Sequence, residues 1–404
     1  MSNRVVITGL GVMSSIGTDV PTFWEGVLNG KNGIKPVQSF NTDKYKVHFG
    51  GEIEGFDPAE HVFRLEPSEM GETSQLAIAA TRQAIAQSGI DVQSLNPRLG
   101  VCFGTTTGEA PVIERFNDRL LNENDKLEKT RFTELYPCHM IAVHVAREFL
   151  LAGPNRVLPC ACAAGNYAIA HSFDLIRSGR ADAMIAGGAD AFSRITYTGF
   201  ARLGAIAPEL CQPFDRERRG MVPGEGAGAI VMESYDSAVG RGAPILAEVS
   251  GYGLSCDAHH MTAAHPEGAG AAAAMLGAIK QARINYSDID YICAHGTGTK
   301  LSDRLETVAI KRVFNGSAYK TPVSSIKSMI GHSMGAASAI EAVACTLAVS
   351  EGVIPPTINW ENPDPDCDLD YVVSGAREKK LQHVLSNAYA FGGANGVVAF
   401  SNVS

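Results

Sequence analysis

The stretch Val5-Val6-Ile7-Thr8-Gly9-Leu10-Gly11 is an apolar run that breaks into a glycine turn, and the chain uses this layout twice. Ala247-Glu248-Val249-Ser250-Gly251-Tyr252-Gly253 repeats it. A second pair of landmarks follows each copy: one strand ends at Gly104-Thr105-Thr106-Thr107 and another at Gly296-Thr297-Gly298-Thr299. A third pair is Ala186-Gly187-Gly188-Ala189-Asp190 and Phe391-Gly392-Gly393-Ala394-Asn395. Three matches in one order predict a duplicated α/β unit with its boundary near 240–247, that is, halves 1–245 and 246–404. Residues 75–88, 166–178, 271–282 and 335–350 place small and apolar side chains at i, i+3 and i+4, which predicts helices. Short apolar strands alternating with such helices imply mixed or parallel sheets covered by helices. Residues 105–140 are longer and more polar, with Glu114, Arg115, Asp118, Arg119, Lys126, Lys129 and Arg131, and read as an insertion at an interface or entrance.

Length and composition narrow the class. A chain of 404 residues exceeds one ordinary core. With 45% hydrophobic and 19% charged residues it is neither disordered, collagen-like nor coiled coil. A net charge of −9 disfavours nucleic acid and anionic membrane as main partners. No apolar run of about 18 residues is evident, and the Ala-rich segment 268–282 reads as a soluble helix. The start Met1-Ser2-Asn3-Arg4 lacks a signal-peptide layout. Nine cysteines without paired spacing read as reduced thiols, with no metal site and a cytoplasmic location expected.

Three motifs compete for the chemistry. Gly9-Leu10-Gly11 hints at dinucleotide binding, but Ser14 stands where the third glycine belongs, so a tight turn is the better reading. Gly331-His332-Ser333-Met334-Gly335 matches a hydrolase nucleophile elbow, with His383 and Asp364 available as partners. Yet the residues before it are mixed and include Lys327, unlike a buried strand. In Arg156-Val157-Leu158-Pro159-Cys160-Ala161-Cys162-Ala163-Ala164-Gly165-Asn166 a short strand ends at Cys162 and a small-residue helix opens at once. A thiol there feels the positive end of the helix, which lowers its pKa. Cys160 points to the same side but is set back from the helix. His295 at a strand end, Lys327 and His332 before another helix, and the turn Phe391-Gly392-Gly393 complete one candidate site.

At these residues the sequence resembles the β-ketoacyl-ACP synthases, decarboxylating condensing enzymes of the thiolase superfamily. The match runs through the strand at 5–12, the cysteine motif, residues 213–228, 294–299, 324–332 and 390–396. The resemblance implies an α/β, thiolase-like fold of five layers, α-β-α-β-α, made from two duplicated halves. It implies that Cys162 carries the acyl chain, and that His295 and His332 assist malonyl decarboxylation with Lys327 organising them. It further implies an oxyanion hole from the N–H groups of Cys162 and Phe391. Asp303, Glu306, Glu341, Gly392 and Gly393 would be supporting residues. No bound cofactor is implied, since phosphopantetheine arrives on the acyl carrier protein.

Two departures point within the family. Thr107 stands where fatty-acid enzymes commonly carry a bulkier gate to the acyl pocket. Residues 298–307 and 317–341, followed by Asn362-Pro363-Asp364-Pro365-Asp366-Cys367, resemble the catalytic alpha ketosynthases of type II polyketide pathways, aromatic or polyene, more than fatty-acid ones. Those enzymes pair with a chain-length-factor homologue, so a heterodimer is expected, otherwise a homodimer. Housekeeping fatty-acid elongation is the alternative, and a non-catalytic chain-length-factor-like subunit a remoter one that the retained Cys162 opposes. A degradative thiolase is disfavoured because the last cysteine, Cys367, lies upstream of the C-terminal glycine turn. An acidic carrier requires a local basic entrance, expected from Arg64, Lys126, Lys129, Arg131, Arg202 and Arg218.

Overall fold

The protein is described by a computed structural model covering residues 4–95, 98–122 and 128–403, without the side chains of residues 122 and 128–131. Lys126, Lys129 and Arg131 therefore lie outside what is described.

Ten strands form one continuous ladder whose two ends mirror each other. In chain order they are β1 (Val5–Met13), β2 (Leu99–Gly104), β3 (Asn155–Leu158), β4 (Ala183–Asp190) and β5 (Gly226–Ser234), then β6 (Ala247–Cys256), β7 (Tyr291–Cys293), β8 (Val323–Ser324), β9 (His383–Tyr389) and β10 (Ala394–Ser401). Outward from the middle, the first half runs β1-β5-β4-β2-β3 and the second β6-β10-β9-β7-β8. Each half pairs its first three strands antiparallel and its last three parallel. Only Val5–Ile7 of β1 meets β6, so the two sheets join at one short antiparallel seam.

Helices separate and cover the sheets. Helices α1 (Glu72–Ser88), α2 (Ala110–Asn122), α3 (Glu128–Leu135) and α4 (Met140–Phe149) belong to the first half. They are followed by α5 (Ala164–Arg177), α6 (Ala269–Ala282), α7 (Lys300–Phe314) and α8 (Ala337–Glu351). Helices α1 and α4 cover the outer face of the first sheet, and α6, with α7 against it, covers the second. Between the sheets lie α5 and α8, each touching strands of both, which completes five layers. A central helix meets apolar neighbours all round, so its periodicity disappears. Every residue of α8 from Ala337 to Val349 is buried. Small side chains let the two central helices approach: a Cβ at Gly165 would stand 2.5 Å from the Ala339 nitrogen.

Two expectations change. The run Met334–Glu351 is long and apolar enough to span a bilayer, yet it is this core helix. The third repeated landmark is a coincidence of letters. Gly187 and Gly188 lie inside β4, whereas Phe391-Gly392-Gly393 is the turn after β9, the strand equivalent to β4. The cooperative repeat is in strand order instead. Helices α2 and α3 lack a counterpart in the second half among the described residues, which fits the insertion expected at 105–140.

Candidate active site

Both central helices are entered through a tight turn, and the site forms where these turns meet. Ala161–Ala163 leads into α5 and Met334–Ala336 into α8. Ala161 adopts φ +46° and Met334 φ +51°, a left-handed conformation costly for residues with a Cβ. This bend turns the chain from β3 so that Cys162 lines a cavity of about 710 Å³. His295, His332, Tyr389 and Phe391 line the same cavity. Sequence reading singled out four of these five from segments far apart in the chain.

Backbone anchors fix the histidines. His295 follows β7, and Glu306 of α7 accepts the N–H groups of His295 and Gly296, both at 2.9 Å. Asp303, one turn earlier on α7, accepts the N–H groups of Thr297, Gly298 and Phe214. Glu306 and Asp303 thus support a loop rather than face a substrate. His332 is held by main chain: its N–H donates to Val222 O at 2.7 Å and its C=O accepts from Gly224 at 2.9 Å. The imidazoles of His295 and His332 meet edge to face, with centroids 5.5 Å apart.

Electrostatics set the resting protonation. Burial drives both histidines well below the usual value, and Lys327 pushes the same way, so both are neutral at pH 7. Lys327 is fully buried in contact with Glu341 of α8. Burial would lower Lys327, but the Glu341 carboxylate outweighs it and keeps the ammonium charged. The Cys162 thiol departs from expectation. Burial pushes it up to about 12 against the opposing pull of Lys327, so the resting form is the thiol and not a helix-stabilised thiolate.

At the cavity mouth the Phe391 turn is built from Gly392 (φ +83°) and Gly393 (φ +81°), a conformation that glycine adopts without strain. Gly392 N–H donates to Met261 O, whereas the Phe391 N–H has no hydrogen-bond partner among the described residues. The Phe391 ring is exposed beside Phe200.

Other expected residues sit elsewhere. Thr107 does not line this cavity. Its N–H and hydroxyl both donate to Asp190, and its neighbour Thr106 is the one at the wall. Arg218 is no surface charge: it is buried, 2.5 Å from Asp364, and donates to the carbonyls of Asp215, Thr299 and Lys300. It clamps the loop after His295 through the 213–228 segment. Arg64 and Arg202 are exposed, but only Arg202 adjoins the mouth, next to Leu203. Arg219 and Lys300, both exposed and lining the mouth, were not singled out from sequence. The elbow reading fails, because Asp364 is held by Arg218 and His383 by Ser401, while Ser333 is buried with its hydroxyl unpartnered.

Sequence reading also missed Asp190. Its carboxylate accepts from the hydroxyls of Thr105 and Thr107 and from the N–H groups of Thr106, Thr107 and Gly335. It ties the loop after β2 to the turn before α8. The only available signal was an acid ending a Gly-Gly strand.

Known proteins resemble this chain over nearly its whole length. Residues 2–238 match the family Beta-ketoacyl synthase, N-terminal domain, and residues 246–361 match Beta-ketoacyl synthase, C-terminal domain. Nodulation protein E of Rhizobium sp. (strain N33) is 43% identical over 100% of both chains. A 3-oxoacyl-[acyl-carrier-protein] synthase 2 of Synechocystis sp. (strain ATCC 27184 / PCC 6803 / Kazusa) is 39% identical, covering 98% of this chain and 97% of the relative. Among solved structures, the ishigamide ketosynthase/chain length factor superposes with a TM-score of 0.95 at 40% identity, over 99% of each chain. A type II PKS acyl-carrier protein in complex with its ketosynthase bound to the hexaketide gives 0.92 at 32% identity, again over 99% of each chain.

Proposed function

Because the chain belongs to the β-ketoacyl synthase family of condensing acyltransferases, we propose that it is the catalytic ketosynthase of a type II polyketide pathway, a cytoplasmic enzyme paired with a chain-length-factor homologue. The observation that carries the reading is one cavity lined by a thiol, two neutral imidazoles and a glycine turn whose Phe391 N–H has no partner among the described residues.

The chemistry follows from those groups. Cys162 Sγ attacks the thioester of an acyl-carrier, the carrier thiol leaves with the cysteine's proton, and the acyl chain is held as a thioester. A malonyl group then enters on a second carrier's phosphopantetheine arm. As its carboxylate departs as CO₂, negative charge moves to the thioester oxygen, where neutral His295 and His332 offer N–H donors. No strong base is required, because bond cleavage itself supplies the carbanion. The enolate carbon attacks the acyl-Cys162 carbonyl, whose oxyanion meets the N–H groups of Phe391 and Cys162. Collapse breaks the C–S bond, Cys162 takes up a proton, and the product leaves two carbons longer on the carrier. Burial keeps both histidines neutral, and the Lys327 ammonium, held in place by Glu341, adds to it. Arg202, Arg219 and Lys300 give the mouth the positive rim that an acidic carrier requires.

Resemblance in 298–307 and 317–341 and the likeness to ketosynthase/chain-length-factor pairs support polyketide assembly. The synthase 2 relatives favour fatty-acid elongation as the second reading. Intact mass spectrometry of the protein alone, and co-expressed with a chain-length-factor homologue, separates them. An acyl adduct on Cys162 and condensation only in the co-expressed sample is the expected result. Full elongation of saturated acyl-carriers by the isolated chain would assign it to fatty-acid synthesis, and failure of both samples to load Cys162 would sink the condensing assignment.

A further inference from the structure

Two buried polar atoms on neighbouring rings lack partners among the described residues: Tyr389 Oη and His295 Nδ1. The rings pack edge to face with centroids 5.8 Å apart. One atom is a hydrogen-bond donor and the other, in a neutral imidazole protonated at Nε2, is an acceptor. The two carboxylates that face the phenol are already engaged. Glu306 receives the N–H groups of His295 and Gly296 and the amide of Asn387. Asp257 receives the His265 N–H and the Asn395 amide. Buried polar groups rarely stay unpaired, and these two belong to rings already in contact.

We propose that Tyr389 is a positioning residue for His295: its hydroxyl donates to Nδ1 in the working state, which fixes the tautomer that presents Nε2–H to the malonyl thioester. The inference rests on the condensing reading of the cavity and adds to it the means by which one histidine is aimed. The charged and titratable groups facing His295 are Lys327 and His332, with Glu306 at its backbone. Those facing the phenol are Glu306 and Asp257. A donor on Nδ1 stabilises the neutral imidazole only, because the imidazolium has no lone pair there, so the contact and Lys327 act in the same direction.

Tyr389→Phe removes the hydroxyl and keeps the ring against His295. Decarboxylation of malonyl-carrier protein should show kcat lowered roughly tenfold, the most one neutral hydrogen bond contributes, with KM within about twofold. The acid limb of its kcat–pH profile should move to higher pH, because His295 is then more easily protonated. Acyl loading of Cys162 should be unchanged. A merely structural phenol predicts otherwise, since a more apolar wall leaves the limb in place or moves it down. An unmoved limb, an unchanged kcat, or parallel loss of loading and thermal stability would each overturn the proposal. Absence of decarboxylation in the unsubstituted protein would instead overturn the condensing reading, and this inference with it.

Discussion

The turn before α5 and the turn before α8 are the same device used twice with opposite contents. Each follows a short outer strand of its half, begins with a left-handed non-glycine residue and opens a central helix. In the first turn the second residue is Cys162, and in the second it is Gly335. A Cβ at Gly335 would lie 2.6 Å from Thr105 C and Thr106 N and 2.7 Å from an Asp190 oxygen. The second turn therefore cannot carry a nucleophile. It offers an N–H to Asp190 and delivers His332 three residues earlier. Duplication supplied the backbone twice, and packing of one turn against the other's loop decided which of them keeps a reactive side chain.

The sharpest way to break this comparison is to empty the first turn. Cys162→Ala should reduce condensation by more than about a thousandfold, since no covalent acyl carrier remains. Malonyl-carrier decarboxylation, which the proposed mechanism assigns to the second half's histidines, should stay within about tenfold. Product analysis and CO₂ release measured in parallel would check the split, and equal loss of both would refute the division of labour.

Next in size is the charge the second half buries. Lys327→Met leaves Glu341 without its partner, a loss of about 3–5 kcal/mol when one member of a buried pair is removed. Denaturant unfolding should show it, and Lys327→Met combined with Glu341→Leu should recover most of the stability. A double variant as unstable as the single would show that the pair does more than neutralise itself.

A smaller effect tests the packing claim. Gly335→Ala should cost about 1–3 kcal/mol by overpacking against Thr105 and Thr106. Cys162→Gly, at the equivalent point, removes atoms from a cavity wall and introduces no clash. If Gly335→Ala melts with the unsubstituted protein, the loop contact is not what excludes a side chain there.

Protonation gives a graded test. Burial and Lys327 hold folded His332 well below 6.5, whereas the unfolded chain binds that proton near 6.5. Stability is therefore lost as pH falls below about 6.5, by up to about 1.4 kcal/mol per pH unit from this residue. Burial raises Glu109, Glu225 and Asp303 to about 7, which acts in the opposite sense between about 4 and 7, so the total profile is mixed. The difference between His332→Gln and the unsubstituted protein isolates the histidine. It should shift in favour of the variant from pH 7 to pH 5, and a constant difference would contradict the neutral assignment.

The smallest effect belongs to the mouth. Joint reversal of Arg202, Arg219 and Lys300 to Glu should raise the carrier's apparent KM several-fold and flatten its salt dependence, with unfolding unchanged. Reversal of Arg218 should differ in kind, destabilising the fold through its buried contacts with Asp303 and Asp364.

How much was legible depended on the range of the interaction. Helix α6 was readable because its small residues recur at helical spacing, and Cys162 because a strand and a helix lie close together in the chain, although the strand ends at Leu158 and a tight turn, not the strand end itself, carries the cysteine. Helix α8 was readable as a helix but passed for a membrane-like run once its length was measured, because a helix buried on all sides has no polar face. The glycine motifs at 186–190 and 391–395 looked alike, yet one is a strand interior and the other a turn. Letters do not record hydrogen-bonding partners. Arg218 was misplaced for the same reason, since its acceptors on 299–300 and Asp364 lie far along the chain.

The sequence by itself determined the duplicated α/β architecture, the family, and Cys162, His295, Lys327, His332 and Phe391 as the residues of interest, because each sits in a local pattern of strand end, glycine and helix start. Only the tertiary structure decided that Cys162 rests as a protonated thiol, that both histidines are neutral, that Asp190 and Arg218 are internal clamps, and that Tyr389 stands beside His295. Protonation and pairing are set by burial and by the groups brought within a few ångströms, and those neighbours come from segments the chain does not place together until it folds.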